Sequence, residues 1–376
     1  MFFDFRTFFQ IPRLIASERF QPRRALLLLG FFALLTLDSA IVAVCLLLDH
    51  VFFPGFRRVQ VRTPVFVVGN ARSGTTHMHR LLCGDEGRFS YFRTYELLLP
   101  SILQKKLLRL VAAFDERVCS GYFERKLRGR EDLTLSEVRK MHDWRLTGAE
   151  EDEFILFHNW SSASLTLIFP YMRGLERLFW VDRQPRSARR RTLGFYRSMV
   201  QRQIYAYRGA TIHCSKNPTF VLKMRSLLEE FPDARFVYMV RHPYETIPSL
   251  LNVMNSYWEA MGTDPAIRED TVALLGELQL DQYKYAAELI DELPEDRLAV
   301  VPYPELLASP KQTVENVYER FGFEVSPRYA AFLEEEQRRS ETYVSQHEYD
   351  LHARGPSRER VRSELTPLFE RFGWEA

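Results

Sequence analysis

Cysteine is scarce in this chain. There are four in 376 residues, Cys45, Cys83, Cys119 and Cys214, with no CxxC pair and no ligand-like spacing to a histidine. That excludes a disulfide framework and a structural zinc site, and reads as reduced thiols in a cytosolic setting. Net charge is also scarce, at +2. No global positive field would gather a polyanion, so a dedicated nucleic-acid binder is excluded. Repeats and low-complexity tracts are absent. With 46% hydrophobic and 27% charged residues, the chain is neither disordered nor wholly embedded in a membrane. Its length suits one large α/β domain or two small ones.

The most informative stretch is Pro64 to Leu82, PVFVVGNARSGTTHMHRLL. The run Val65 to Val68 is apolar, β-branched and tightly bounded, as a buried strand should be. A turn between Gly69 and Gly74 follows, then a helical pattern that turns Met78, Leu81 and Leu82 to the core. Strand, glycine-bounded loop and helix N-terminus together cradle an anion, because backbone N–H groups converge there and the helix dipole favours negative charge. The spacing Gly69-x4-Gly74 matches the loop of nucleotide triphosphatases, but Thr75 stands where that loop needs lysine. The cation on offer is Arg72, whose planar fork suits an oxyanion. No metal-binding aspartate follows a second strand.

Further along, Asn217 or Thr219 can cap a helix running to Glu230, with Phe220, Met224, Leu227 and Leu228 on one face. Arg235 to Val240 reads as a buried strand ending at Arg241, and Leu298 to Val301 as another. A helix should run from Ser309-Pro310 through Phe321. This order predicts an α/β fold of P-loop type, three layers about a central parallel sheet, with ligands at the carboxyl ends of the strands. Helical insertions between Ser101 and Trp160 should face a substrate, and the acceptor pocket should lie between Glu96 and Trp180. Residues 330–376 read as charged helix, with His347, Tyr349 and a break at Arg354-Gly355-Pro356.

RSGTT and SKNPTF resemble the motifs of sulfotransferases that use 3′-phosphoadenosine 5′-phosphosulfate. The resemblance is to the bacterial group and, motif by motif, to the tyrosylprotein sulfotransferases, over roughly Pro64 to Gly322. It implies that Arg72, Ser73, Gly74, Thr75 and Thr76 hold the 5′-phosphosulfate, and that Arg241 with Ser249 binds the 3′-phosphate. It makes Lys216 the cation on the leaving bridge oxygen. It places a base at Glu96, with His77 and His79 as rivals. Sulfuryl transfer needs no metal clamp, so none is expected.

Three other stretches carry charge or grease. Residues 1–58 form an N-terminal hydrophobic segment expected to meet a membrane, ahead of a transfer domain at 59–376. Within it, Ala25 to Leu48 holds one charge, Asp38, and is long enough to span about 30 Å of hydrocarbon. It can span, lie in the membrane surface, or pack as a helix of the body. The flanking Arg6, Arg13, Arg19, Arg23 and Arg24 suit lipid headgroups. Glu150-Glu151-Asp152-Glu153 reads as a solvated helix start, and the five arginines between Arg183 and Arg191 as a solvated loop. The leading function is a cytoplasmic, membrane-associated enzyme sulfating a hydroxyl or amine of a small or lipid-like acceptor. The alternatives are a nucleotide kinase or NTPase, and an inactive nucleotide-binding membrane protein.

Overall fold

The computed structural model describes residues 2–19, 21–122, 125–126, 147–207, 212–341 and 355–375. Five strands, β1 (Val65–Gly69), β2 (Phe89–Ser90), β3 (Ile212–Lys216), β4 (Arg235–Val240) and β5 (Leu298–Pro302), form one parallel sheet in the order β2-β3-β1-β4-β5. Alternate residues feed opposite cores. Val65, Val67, Val237 and Met239 face one, while Phe66, Val68, Phe236 and Tyr238 face the other. Both faces are buried, as a parallel sheet between helical layers requires.

The helices that matter here are α1 (Phe5–Ser17), α2 (Pro22–Phe52), α3 (Thr75–Cys83), α4 (Thr94–Leu98), α5 (Ile102–Val118), α6 (Arg186–Ala206), α7 (Met224–Glu230), α8 (Pro243–Ala260), α9 (Pro265–Glu292), α10 (Pro310–Arg320) and α11 (Pro327–Glu341). One layer takes Met78, Leu81 and Leu82 of α3 with Val314 and Val317 of α10. The opposite layer takes Tyr196 of α6, Leu227 of α7 and Tyr283 of α9. The three-layer architecture is therefore the one expected.

Strands β1, β4 and β5 and helix α10 fall where the sequence places them. Asn217 caps the turn before α7 by accepting from the Thr219 N–H at 2.7 Å. Strands β2 and β3 were not foreseen. β3 reads Ile-His-Cys-Ser-Lys and has no apolar run, yet His213, Ser215 and Lys216 are all buried. The arginine run is no loop: Arg186 opens α6, Arg189 pairs with Glu229 at 2.9 Å, and Arg191 lies 3.6 Å from Asp4. His347, Tyr349 and Arg354 fall outside the described residues.

Helix α2 lies along the body with one flank against it. At one end Arg24 pairs with Glu18 at 3.0 Å. Midway, Phe32 meets Trp160 with ring centroids 5.1 Å apart. Asp38 stands 2.9 Å from His158 Nδ1, at an angle that makes no hydrogen bond. At the far end Asp49, fully buried, accepts from Arg202 Nε at 2.8 Å and from the Ile102 and Leu103 N–H groups at 3.0 and 2.9 Å. One carboxylate thus neutralises a buried guanidinium and caps α5. Asp49→Ala should cost about 3–5 kcal/mol, since Arg202 would be left buried and unpaired. Urea denaturation reads this, and a loss under about 1 kcal/mol would show that the pair is not a lock.

Candidate active site

The loop from Gly69 to Gly74 joins β1 to α3, and its backbone demands glycine at both ends. Gly69 has φ +150°, and a Cβ there would lie 2.4 Å from the Met239 carbonyl oxygen. Gly74 has φ +91°, and its Cβ would lie 2.5 Å from the Tyr303 ring. Arg72 sits between them with φ +70°, an uncommon conformation for a residue with a Cβ and one that concentrates at functional sites. Asn70 anchors the turn by donating to Gln279 at 3.0 Å. The Ser73 hydroxyl is buried with no partner, and no side chain caps the N-terminus of α3. These donors fit a phosphate-like oxyanion.

Two more residues reach this loop, one from helix α8 and one from just past the neighbouring strand. Arg72 Nε donates to Ser249 Oγ in α8 at 3.2 Å. Arg241, just past β4, donates from Nη1 to the Arg72 carbonyl at 3.2 Å and from Nε to Glu245 at 2.8 Å. Its guanidinium lies 4.3 Å over the Tyr303 ring. Arg72, Arg241 and Ser249, far apart in sequence, therefore share one corner at the carboxyl edge of the sheet. Tyr303, which walls that corner, carried no sequence signal.

Lys216 ends β3 and pairs in register with Val67, two residues before Gly69. Its side chain is fully buried, and its ammonium donates to Glu151 at 2.9 Å with Glu150 at 3.6 Å. The acidic run is thus not solvated, which corrects the expectation. Asp152 accepts from Ser215 Oγ at 2.9 Å and lies 3.1 Å from His213 Nε2. Glu153 takes Lys223 Nζ at 3.1 Å, the Ser162 and Ser164 hydroxyls at 2.7 Å and the Ala163 N–H at 2.6 Å. Glu150 and Glu151 share Lys216 while Asp152 and Glu153 have separate partners, which is what lets four carboxylates stand in a row largely away from bulk water.

Glu96 is buried at the start of α4. It accepts from the Arg93 N–H at 3.0 Å, Gln203 Nε2 at 2.9 Å and Tyr207 OH at 2.6 Å, with Lys105 Nζ 3.9 Å away. Three of a carboxylate's four lone-pair sites are filled. Burial pushes the Lys105 ammonium down to about 8, against an attraction to Glu96 that raises it. His79 is buried against the Cys214 carbonyl, 3.3 Å from Nε2. Burial, helped by the positive charge of Lys216, pushes it down to about 3, a weak base at neutral pH. His77 is half-buried, and desolvation lowers it too. His79, Cys83 and Cys214 place their donor atoms within 4.8 Å of one another, a juxtaposition made by the packing of α3 on β3. Burial raises the Cys83 thiol well above its usual range.

A parallel sheet carrying a glycine-bounded anion loop after β1, with buried and half-buried cations along its carboxyl edge, defines a P-loop-type α/β protein. The profile of the sulfotransferase family matches residues 64–327, and the chain belongs to that family. It is 28% identical over 265 residues to the omega-hydroxy-beta-dihydromenaquinone-9 sulfotransferase Stf3 of Mycobacterium bovis, and equally to that of Mycobacterium tuberculosis. The match covers 69% of this chain and 62% of the relative, so the chain spans less than two thirds of the curated relatives' length. The crystal structure of sulfotransferase STF9 from Mycobacterium avium superposes with a TM-score of 0.75 at 18% identity, covering 99% of this chain and 93% of that one. Sulfotransferase STF1 from Mycobacterium tuberculosis gives 0.68 at 17% identity, covering 96% and 92%. At these identities the likeness shows the fold.

Two outcomes follow from the geometry. Gly74→Ala should weaken oxyanion binding at the loop about tenfold or more, since strain of order 1–3 kcal/mol falls on it; calorimetric titration with inorganic phosphate reads it. Lys105, lowered from 10.5 to about 8, holds fewer protons folded than unfolded between those values. Stability should therefore rise with pH across that window, and Lys105→Met should flatten the rise in urea denaturation.

Proposed function

We propose that the protein transfers a sulfuryl group from 3′-phosphoadenosine 5′-phosphosulfate to a hydroxyl of a lipid-like acceptor, with residues 59–376 carrying the transfer. The observation that carries this reading is Lys216, an ammonium buried beside the β1 strand that launches the anion loop. Family membership supports sulfuryl transfer as the reaction. The relative's name, omega-hydroxy-beta-dihydromenaquinone-9 sulfotransferase, supports a hydroxyl on a lipid as the acceptor. Thr75 in place of the loop lysine disfavours a triphosphate, and with it a kinase or NTPase.

In this reading Arg72, Ser73, Gly74, Thr75 and Thr76 hold the 5′-phosphosulfate. The unpartnered Ser73 hydroxyl and the uncapped first turn of α3 supply donors already in place. Arg241 and Ser249 hold the 3′-phosphate, for which Arg241 leaves Glu245. During transfer the acceptor oxygen forms a bond to sulfur as the bond from sulfur to the bridging phosphate oxygen breaks. Lys216 stabilises the negative charge that collects on that bridging oxygen, and Arg72 the charge on the moving group. The acceptor proton goes to Glu96, whose carboxylate keeps one lone-pair site open.

One observation favours a second assignment of the base. Glu151 already touches Lys216 at 2.9 Å and keeps 22% of its side chain exposed, whereas Glu96 is sealed. Glu96→Gln and Glu151→Gln separate the assignments and Lys216→Met tests the cation, with transfer from labelled donor as the readout. Lys216→Met should leave affinity for 3′-phosphoadenosine 5′-phosphate within a few-fold and lower transfer by about 10²–10³. Glu96→Gln should lower transfer by about 10²–10⁴. Full activity in Glu96→Gln with a comparable loss in Glu151→Gln would move the base to Glu151.

A further inference from the structure

Helix α2 is the one helix among the described residues long and apolar enough to cross a membrane, yet its packing is incompatible with crossing one. Its inner flank is fastened to the body at both ends and in the middle, through Arg24, Phe32, Asp49 and the Leu46 carbonyl that accepts from Arg202. A bilayer around α2 would have to displace these contacts, carrying Asp49 toward hydrocarbon and leaving Arg202 buried in the body without its carboxylate. The outer flank is a different surface. Leu26, Leu34, Leu37, Ile41, Val44 and Val51 recur at helical spacing and are all exposed.

That flank does not stand alone. Helix α5, capped by Asp49 of α2, exposes Leu107, Leu110, Val111, Phe114 and Val118, again spaced three and four apart. Helix α1, joined to α2 by Phe8 and Phe32 with centroids 5.2 Å apart, exposes Phe5 and Phe9. The charges beside this surface are mostly basic. Arg6, Arg13, Arg19, Arg23, Arg57 and Arg58, with Lys106, Arg109 and Arg117 of α5, are exposed, against Glu116 of α5 and the partly exposed Asp38 carboxylate. Apolar side chains flanked by a large excess of basic ones match an anionic lipid surface rather than another protein patch.

We infer that α1, α2 and α5 together form a face that lies in the plane of an anionic bilayer without crossing it, and that this face presents the acceptor to the active site. The second half rests on the sulfotransferase reading. The apolar face runs up to the proposed base: Leu98, exposed, lies two residues past Glu96, and Lys105 of α5 stands 3.9 Å from the Glu96 carboxylate. A long-chain alcohol held in the leaflet nearest the protein would meet α4 without leaving the lipid.

Flotation of the full-length protein tests this, using vesicles of phosphatidylcholine alone and of phosphatidylcholine mixed with phosphatidylglycerol. The protein should float with the mixed vesicles and about tenfold less with the neutral ones. Leu107→Ser/Val111→Ser in α5 should lower partition about tenfold, as should Ile41→Ser/Val44→Ser in α2. Both should keep wild-type affinity for 3′-phosphoadenosine 5′-phosphate, which certifies their folding. On a vesicle-embedded long-chain alcohol both should raise the apparent KM, while transfer to a short soluble alcohol stays unchanged. Wild-type partition of the α5 variant would overturn the face. So would a wild-type protein that stays off both kinds of vesicle and sediments as a dimer, since a second copy would then cover it. Failure of the sulfotransferase reading is seen separately, as intact flotation without nucleotide binding.

Discussion

The structure depends on how four consecutive carboxylates, Glu150 to Glu153, are kept away from bulk water. A buried carboxylate without a partner costs several kcal/mol, so each must find a donor. Glu150 and Glu151 find Lys216, Asp152 finds Ser215 beside His213, and Glu153 finds Lys223 with the hydroxyls of Ser162 and Ser164. These contacts bind the 150–164 segment to β3 and to the turn that follows it. They also fix where the ammonium of Lys216 stands. In the proposed reading that cation must be held still and dry without being neutralised for good, and Glu151, with 22% of its side chain exposed, is a partner it can exchange.

The anion corner uses the same economy at lower burial. Arg72 and Arg241 come from different strands, and neither is idle: one donates to Ser249, the other to Glu245 and to the Arg72 carbonyl. Tyr303 closes the corner from the far side, packing under Arg241 and against Gly74. A substituent on Gly74 would strike that ring, so the loop conformation and the tyrosine specify each other. Lys105 of α5, a helix that carries part of the apolar face, stands 3.9 Å from the Glu96 carboxylate.

What could be read from the sequence follows from how local its physics is. The loop was legible because positive φ at Gly69 and Gly74 and the buried run before them leave a signature within twenty residues. Helix α10 and strands β1, β4 and β5 were legible for the same reason. Strand β3 was not, since its polar residues are buried only by partners some sixty residues away in Glu150 to Glu153, and nothing in IHCSK announces them. The solvated reading of that acidic run failed for the same cause. Asp38 and Asp49, odd charges in or beside an apolar stretch, acquired meaning only when His158 and Arg202 were seen facing them. The arginine run misled because its charges line the first turns of α6 and pair across to Glu229 and Asp4.

The central claim is that the loop after β1, with Arg241 and Ser249 beside it, is built for a nucleotide carrying a 3′-phosphate and a 5′-phosphosulfate. The most direct test is calorimetric titration of the purified full-length protein with 3′-phosphoadenosine 5′-phosphate and, in parallel, with ATP. The account predicts tight binding of the first and none of comparable strength for the second, with the first weakened when Arg241 or Ser249 is replaced by alanine. Tight binding of ATP with no response to the 3′-phosphorylated nucleotide would contradict it.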